Sequence, residues 1–190
     1  MQKYKLLILL AIGLYVITAC GNNSDGNSAD TALAEEIKPE FRSQLSDAIE
    51  NYLELKDALV WAKEEIIHEK ANNFKKAVSS ISEDNLPNEL RARWDKKRSD
   101  VMEEIDKFIA REDLMEQRSA FLPLSELVID CVKEYAPLDK TLYVQHCPMA
   151  FDYSGGDWLS ATDTIYNPYY GRMMLHCGSV TETFAALQAQ

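Results

Sequence analysis

Two short segments near the C-terminus, "HCPM" and "MMLHC", concentrate side chains that bind soft metals or form disulfides. Their chemistry-bearing residues are His146, Cys147, Met149, Met174, His176 and Cys177. Thiolate and thioether sulfur select soft ions such as Cu(I), whereas Mg²⁺ and Ca²⁺ prefer oxygen ligands. One interpretation of the two segments is therefore a soft-metal site, and Cu(I) is the ion that fits it best.

The spacing of the first segment indicates which of its side chains share a face. Pro148 restricts Cys147 to an extended conformation. In an extended segment, residues two apart point the same way and adjacent residues point oppositely. Cys147 and Met149 are therefore expected on one face and His146 on the other.

The second segment offers a zinc site as the formal alternative. In extended backbone, Met174 and His176 share one face and Cys177 lies on the other. A tetrahedral zinc site would combine His146, Cys147, His176 and Cys177. Two pairs of adjacent residues would then have to converge on one ion, which is sterically awkward, so zinc is the weaker interpretation.

The first 20 residues have the features of an export signal. Two lysines precede an apolar run at 6–17 that is too short to span a bilayer. The sequence "ITAC" resembles the lipobox of bacterial lipoproteins, whose cysteine becomes the lipidated first residue. We therefore predict a signal peptide at 1–19 and a membrane anchor through lipidated Cys20 on the periplasmic side. The residue after Cys20 is Gly21 and not aspartate. By analogy with better-studied lipoproteins, this favours an anchor in the outer membrane.

The charge and length of the exported chain exclude several classes of partner. Removal of residues 1–19 leaves 171 residues with 18 basic and 31 acidic side chains, a net charge of −13. This charge argues against binding nucleic acid and against electrostatic docking on anionic lipid. Residues 20–38 begin rich in Gly, Asn, Ser and Asp, which predicts a flexible tether. The remainder, 39–190, suits a single domain.

Export also gives the cysteines a second interpretation. In an oxidising compartment Cys147 and Cys177 could form a disulfide that staples the C-terminal segment. A third interpretation is packing of the methionines and cysteines in a core, where both residue types are common. Cys131 falls on the apolar face of a predicted helix and is expected to be inert core. The residues alone leave these three interpretations open.

The central part of the chain predicts helices. Apolar residues recur every seven positions at Leu45, Tyr52, Leu59 and Ile66. This repeat predicts one long amphipathic helix over about 39–77. A second helix begins after Pro87 with an apolar face that continues to Met115, and a third covers about 119–135. Three antiparallel helices form a bundle over 39–137, so the expected fold class is mainly α.

The last 50 residues have a different character. They hold four of the seven glycines and the turn sequences "SGGD" and "NPYYG". Short extended pieces are expected at 141–147 and 172–180, with a helical turn near 181–189. We predict an irregular or small-β cap over 141–190. The aromatic residues expected to pack this cap onto the bundle are Phe151, Tyr153, Trp158, Tyr166, Tyr169 and Tyr170.

Motifs of common catalytic sites are absent from the sequence. There is no phosphate-binding loop, dinucleotide fingerprint or nucleophile elbow. "HEKAN" at His68 begins like a zinc-protease helix, but Asn72 stands where the second histidine ligand is needed. We therefore predict that the protein is not an enzyme.

Several spaced motifs resemble one known family. "HCPMA", "DWLS" and "IYNPYYGRMMLHCG", with "YLELKDALV" and "QRSAFLPLS" upstream, are similar to the domain-of-unknown-function family 3347, known from Bacteroidetes-type bacteria. The resemblance covers about residues 39–185. The positions that match the family pattern are Cys147, Pro148, Met149, Trp158, Leu159, Asn167, Pro168, Tyr169, Gly171, Met174, Leu175, Cys177 and Gly178.

The resemblance implies a role beside metal efflux. Such domains occur as lone lipoproteins, and fused to or encoded near membrane-fusion subunits of copper and heavy-metal efflux pumps. It implies a lipoprotein that sequesters Cu(I) or a similar soft ion, or hands it over. The family pattern does not require either histidine, which favours Cys147, Met149, Met174 and Cys177 as ligands with His176 or His146 assisting. The alternative is a structural or interaction lipoprotein with a Cys147–Cys177 disulfide.

Overall fold

The computed structural model describes residues 36–135 and 139–186. The expected signal peptide, Cys20 and nearly all of the expected tether lie outside the described residues. Within the described ranges, no helix combines the length and the apolar character that crossing a membrane requires.

Four long helices precede a small sheet, which confirms the mainly α fold class with a β cap. The helices are α1 (Pro39–Trp61), α2 (Glu64–Ser80), α3 (Asn88–Ile109) and α4 (Leu114–Tyr135). The strands are β1 (Leu142–Cys147), β2 (Gly156–Ser160) and β3 (Ser179–Phe184). Three-residue 3₁₀ helices lie at Glu83–Asn85 and Gly171–Met173. The bundle therefore has four helices where the apolar repeat predicts three.

The additional helix arises because the chain reverses at Ala62. This residue has left-handed backbone angles, φ 50° and ψ 47°. The Lys63 N–H then reaches back to the Ala58 carbonyl at 3.0 Å, as in a Schellman motif. The long predicted helix is thereby divided into α1 and α2. Ala62 is an ordinary helix former, so the sequence carries no turn signal there.

Side-chain pairs show that α1 and α2 run antiparallel. Lys70 of α2 is 2.9 Å from the Glu54 carboxylate of α1. Four residues further along α2 and two residues back along α1, the rings of Phe74 and Tyr52 lie 5.9 Å apart. Helix α1 buries Leu45, Tyr52 and Leu59 of the seven-residue repeat. In α2 the repeat position Ile66 is only partly buried, and its neighbour Ile67 is the residue that is completely buried.

The boundary between α3 and α4 lies earlier than the sequence indicates. Helix α3 ends at Ile109, and the Asp113 carboxylate accepts hydrogen bonds from the N–H groups of Met115 and Glu116 at 2.8 and 3.0 Å. This geometry is that of a helix N-cap. Met115 therefore belongs to the first turn of α4 and not to the apolar face of α3, and its side chain is 49% exposed.

The three strands form an antiparallel sheet in the order β2-β1-β3. The central strand β1 confirms the extended segment expected at 141–147. Strand β2 is not anticipated by the sequence, and β3 occupies much of the region where a helical turn is expected. The segment expected to be extended from residue 172 begins instead inside a 3₁₀ helix. Edge strands gain their hydrogen bonds from β1, so their conformation depends on this pairing more than on local propensity.

Tyr52 joins the sheet to the bundle. Its side chain is completely buried, and its hydroxyl lies 2.7 Å from the Ser125 hydroxyl of α4. The same oxygen accepts a hydrogen bond from the Leu159 N–H of β2 at 3.2 Å. Burial raises the pKa of Tyr52 well above its ordinary value, so the hydroxyl stays neutral. One polar group thus links α1, α4 and β2 inside an apolar core.

Candidate functional site

Cys147 and Cys177 meet although 30 positions separate them in the chain. Their Sγ atoms lie 3.2 Å apart. Cys147 is the last residue of β1 and is completely buried, whereas Cys177 is partly accessible. Both are free thiols. The structure therefore places the two predicted thiols where they could hold one ion or form one bond.

Asn167 fixes the segment that carries Cys177. Its buried side-chain oxygen accepts hydrogen bonds from the N–H groups of Tyr169 and Tyr170 at 2.8 and 3.1 Å. Its side-chain nitrogen donates to the Cys177 carbonyl at 2.9 Å. Its backbone N–H donates to the Leu175 carbonyl, also at 2.9 Å. These bonds fold residues 167–177 into a closed loop whose end lies against β1.

The neighbouring Cys147 thiol affects the protonation of Cys177. The hydrogen bond between Cys147 and Cys177, followed by burial, raises the pKa of Cys177 above its ordinary value. Removing a proton leaves a negative sulfur beside another sulfur, which is unfavourable without a cation. An ion that binds here must therefore displace thiol protons, and its own charge offsets that cost.

His146 is held away from the thiols, on the opposite face of β1, as the alternation predicts. Its Nδ1 lies 2.6 Å from an Asp157 carboxylate oxygen, across the β1–β2 pair. The ring packs over Gly155, where a Cβ atom would come within 2.6 Å of the His146 Cε1. Gly155 also has a φ of +84°, which glycine adopts without strain. The structure thus ties His146 to Asp157 and not to Cys147.

His176 is also occupied elsewhere. Its Nδ1 lies 2.8 Å from the carbonyl oxygen of Ile165, and its ring contacts Tyr166 with centroids 5.9 Å apart. In the part of the chain that the structure describes, no three His, Cys, Asp or Glu residues are grouped as a metal would need. The zinc set of His146, Cys147, His176 and Cys177 is therefore not brought together.

The candidate methionine ligands lie two and three residues along the chain from the two thiols. Met149 follows Cys147 by two residues and is 36% exposed, while Met174 is partly buried and precedes Cys177 by three. The Cys177 N–H donates to the Met174 carbonyl at 3.0 Å, which closes a tight turn. Both thioethers belong to the backbone turns that carry the two thiols.

Tyr170 is a residue of the site that sequence reasoning assigned only to packing. Its hydroxyl donates to the Met149 carbonyl at 2.6 Å. Burial, and then the nearby thiol of Cys147, raise the pKa of Tyr170, and Cys177 contributes in the same direction. The phenol therefore anchors the turn that follows Cys147 by its hydrogen bond to the Met149 carbonyl. The sequence signal for Tyr170 is the "NPYYG" turn. In the structure Asn167 of this turn bonds both the Tyr170 N–H and the Cys177 carbonyl.

The turn after Met149 has an unusual backbone. Phe151, Asp152 and Tyr153 all have positive φ angles of 51°, 56° and 67°. Left-handed conformation costs about 1–2 kcal/mol for each residue that is not glycine. The contact between the rings of Phe151 and Tyr169, with centroids 5.0 Å apart, helps to hold the turn in place. Tyr153 projects into solvent, with 78% of its surface exposed.

Most of the cap's aromatic residues pack as expected. Trp158 is buried, and its indole N–H donates to the Gln145 side chain at 2.8 Å. Tyr169 contacts Trp158 within the cap and Phe121 of α4, with centroids 5.7 and 6.3 Å apart. Its hydroxyl donates to the Asp157 carbonyl. These contacts fix the sheet against the bundle, whereas exposed Tyr153 does not take part in the core.

Cys131 is the remaining described cysteine, and it lies in the core as expected. It is 4% exposed on α4, among the apolar residues of the bundle. Burial raises its pKa to about 12. Cys131 lies among the apolar side chains of the bundle, whereas the Sγ atoms of Cys147 and Cys177 contact each other, so the paired thiols of the described residues are Cys147 and Cys177.

Comparison with known proteins gives one family match, which covers the helical part of the chain. The chain matches no curated protein and no solved structure. Residues 48–140 match the family model described as protein of unknown function (DUF3347). The matched residues run from α1 to the segment before β1, so the thiol pair lies beyond them. For this helical region, the match supports the family that the motifs resemble, protein of unknown function DUF3347.

Proposed function

We propose that this chain is a lipid-anchored, non-enzymatic protein that binds Cu(I), or a similar soft ion, between Cys147 and Cys177. The observation that carries the proposal is the 3.2 Å contact between the two Sγ atoms. Two distant parts of the chain bring two soft ligands together at the end of a rigid strand. Thiolate pairs select soft ions over the hard cations that carboxylates bind.

The geometry requires little movement to accept an ion. Two thiolates on one ion, with metal–sulfur bonds of about 2.3 Å, lie roughly 3.7 Å apart at a tetrahedral angle and further apart at wider angles. The present separation of 3.2 Å must therefore open by about half an ångström. Cys177 sits in a surface turn and can make this movement, whereas Cys147 is fixed in β1.

The methionines complete a sulfur-rich donor set in this proposal. Met149 and Met174 lie two and three residues from the two cysteines, and Met149 is exposed on the surface. Thioethers bind Cu(I) and bind zinc poorly. The histidines contribute less than the sequence suggested, because Asp157 holds His146 and the Ile165 carbonyl holds His176.

A partly accessible site suits an ion that is passed on. Cys177 is only half-buried, so a partner's ligand can approach the ion from solvent. We propose that the protein, anchored through Cys20 on the periplasmic side of the outer membrane, sequesters the ion or hands it to the membrane-fusion subunit of an efflux pump. The resemblance to efflux-associated domains supports this last step.

A competition titration of Cu(I) against a chromophoric chelator tests the proposal. The reduced full chain, carrying Cys20→Ser in every sample, is compared under anaerobic conditions with Cys147→Ser/Cys177→Ser. We expect one ion per chain in the parent and loss of competition in the double variant. Cys131→Ala is the matched control and should bind as the parent does. Absence of competition by the parent would refute the proposal.

A disulfide-stapled structural protein is the second candidate. The same sulfur contact favours it, because closing the bond, whose length is about 2.05 Å, needs an approach of only about 1 Å. In that case the bridge would stabilise the cap, and the helices would dock on a partner. The Cu(I) titration of the reduced chain distinguishes the candidates, because a cysteine pair that only staples the cap takes up no ion when it is reduced.

A further inference from the structure

We propose that Cys177 is a modification site for small-molecule disulfides, such as oxidised glutathione, and that Cys147 then displaces the bound thiol to give an internal disulfide. The oxidation rests on the geometry of the two thiols alone. Its consequence for ion binding rests on the proposed function.

The accessibility of the two sulfurs sets the order of events. Cys177 is partly accessible at the end of the loop, whereas Cys147 is completely buried at the end of β1. A small disulfide can therefore reach Cys177 and not Cys147. A mixed disulfide at Cys177 places its sulfur within a short movement of Cys147, because the two Sγ atoms start 3.2 Å apart.

The exchange balances in two steps. The Cys177 thiolate attacks one sulfur of the small disulfide, forms a Cys177–thiol mixed disulfide and releases one small thiolate. The Cys147 thiolate then attacks the Cys177 sulfur, forms the internal bond and releases the second small thiolate. The protein loses two protons and two electrons, and the small disulfide is reduced to two thiols.

The surrounding structure favours closure over other outcomes. Asn167 holds the carbonyl of Cys177, so the loop keeps the attached sulfur beside β1 while the second step proceeds. The third described thiol, Cys131, is buried on α4 and cannot compete for the mixed disulfide. The internal bond is therefore the expected end product, without scrambling.

Oxidation and ion binding exclude each other at this site. A disulfide has no thiolate to offer, and an ion held by both sulfurs blocks attack by Cys177. By thermodynamic linkage, an ion that binds the reduced pair disfavours the disulfide, and oxidation to the disulfide disfavours ion binding. The pair thus binds an ion only where the surroundings keep it reduced, which makes the thiol–disulfide balance of the compartment a regulator of the site.

Intact-mass measurements with oxidised glutathione test the order of events. The full chain carries Cys20→Ser throughout, and Cys147→Ala and Cys177→Ala are compared with this parent after far-UV circular dichroism has shown that they fold. We expect the parent to lose two protons with no glutathione retained. Cys147→Ala should accumulate one glutathione at Cys177. Cys177→Ala should react slower by about tenfold or more, because buried Cys147 is exposed only by local opening.

The outcomes separate this inference from the proposed function. Equal reaction of the two single variants, or glutathione retained on the parent, would overturn the inference even if Cu(I) binds tightly. A final sample is loaded with Cu(I) before oxidised glutathione is added, and we expect it to resist oxidation. If the reduced parent oxidises as described but takes up no Cu(I), the proposed function fails and the modification site stands.

Discussion

The side-chain nitrogen of Asn167 donates to the Cys177 carbonyl at 2.9 Å, while the side-chain oxygen accepts from two tyrosine N–H groups. A completely buried amide thus uses both of its ends to close the loop that presents Cys177. The position of one thiol therefore depends on a residue ten positions away that touches no sulfur.

Asn167→Asp should weaken Cu(I) binding by about 10–100-fold, the usual effect of losing a residue that orients a metal ligand. The carboxylate keeps the acceptor for Tyr169 and Tyr170 but repels the Cys177 carbonyl. Anaerobic chelator competition measures the change. Asn72→Asp on the exposed face of α2 is the matched control and should bind as the parent does. Unchanged affinity in a folded Asn167→Asp variant would contradict the positioning role.

Tyr52→Phe should lower the free energy of unfolding by about 1–3 kcal/mol, because it leaves the buried N–H of Leu159 without a partner. In the parent, the Tyr52 hydroxyl serves both this N–H and Ser125. Urea unfolding followed by circular dichroism measures the loss. Tyr153→Phe, at a hydroxyl in an exposed side chain, should change stability little. Equal stability of the two variants would show that the Tyr52 bridge contributes nothing.

Ala62→Gly should stabilise the protein by roughly 1 kcal/mol, since glycine adopts the left-handed conformation that alanine occupies there at a cost. Ala62 is exposed, so no packing is lost. Ala110, which follows α3 with an ordinary φ of −72°, provides the comparison. Ala110→Gly should bring no gain. Thermal and urea unfolding of both variants decide whether the α1–α2 corner has the left-handed geometry described.

Glu126→Gln should stabilise the protein at neutral pH by a few tenths of a kcal/mol, the usual size of a repulsive pair four residues apart on a helix. Burial, then Asp157 and Asp130, raise the pKa of the Glu126 carboxyl. A raised pKa means that the folded state binds the proton more tightly, so this group reduces stability as pH rises from the acid range. The gain should disappear as the pH falls below both the folded and the unfolded pKa of this carboxyl, where it is protonated in both states. A gain independent of pH would contradict this cause.

The number of helices illustrates where the sequence is insufficient. The apolar repeat correctly marks the buried face of α1 at Leu45, Tyr52 and Leu59, whereas Ile66 of α2 is only partly buried. It does not mark the reversal between the two helices, because the same repeat suits one long helix and two packed ones. Packing of α1 on α2 compensates the left-handed cost at Ala62, and this compensation exists only in the tertiary structure.

Strand β2 shows the same limit in the cap. "GDWLS" has neither a strong alternation nor a run of β-branched residues, yet Trp158 and Leu159 become the buried centre of an edge strand. Pairing with β1 and the hydrogen bond from Leu159 to Tyr52 determine its conformation. Such long-range contacts outweigh local β propensity.

The sequence by itself determined the helical bundle, the change of character at the cap, the buried state of Cys131 and the opposite orientation of Cys147 and His146. These features follow from local periodicity and backbone alternation, and both can be read from a short segment of the sequence without knowledge of the rest. Only the tertiary structure decided that Cys147 meets Cys177, that the Tyr170 hydroxyl bonds the Met149 carbonyl and that both histidines are held elsewhere. The physical reason is that these contacts join residues 11 to 30 positions apart through a loop closed by Asn167 and a sheet register fixed by β1.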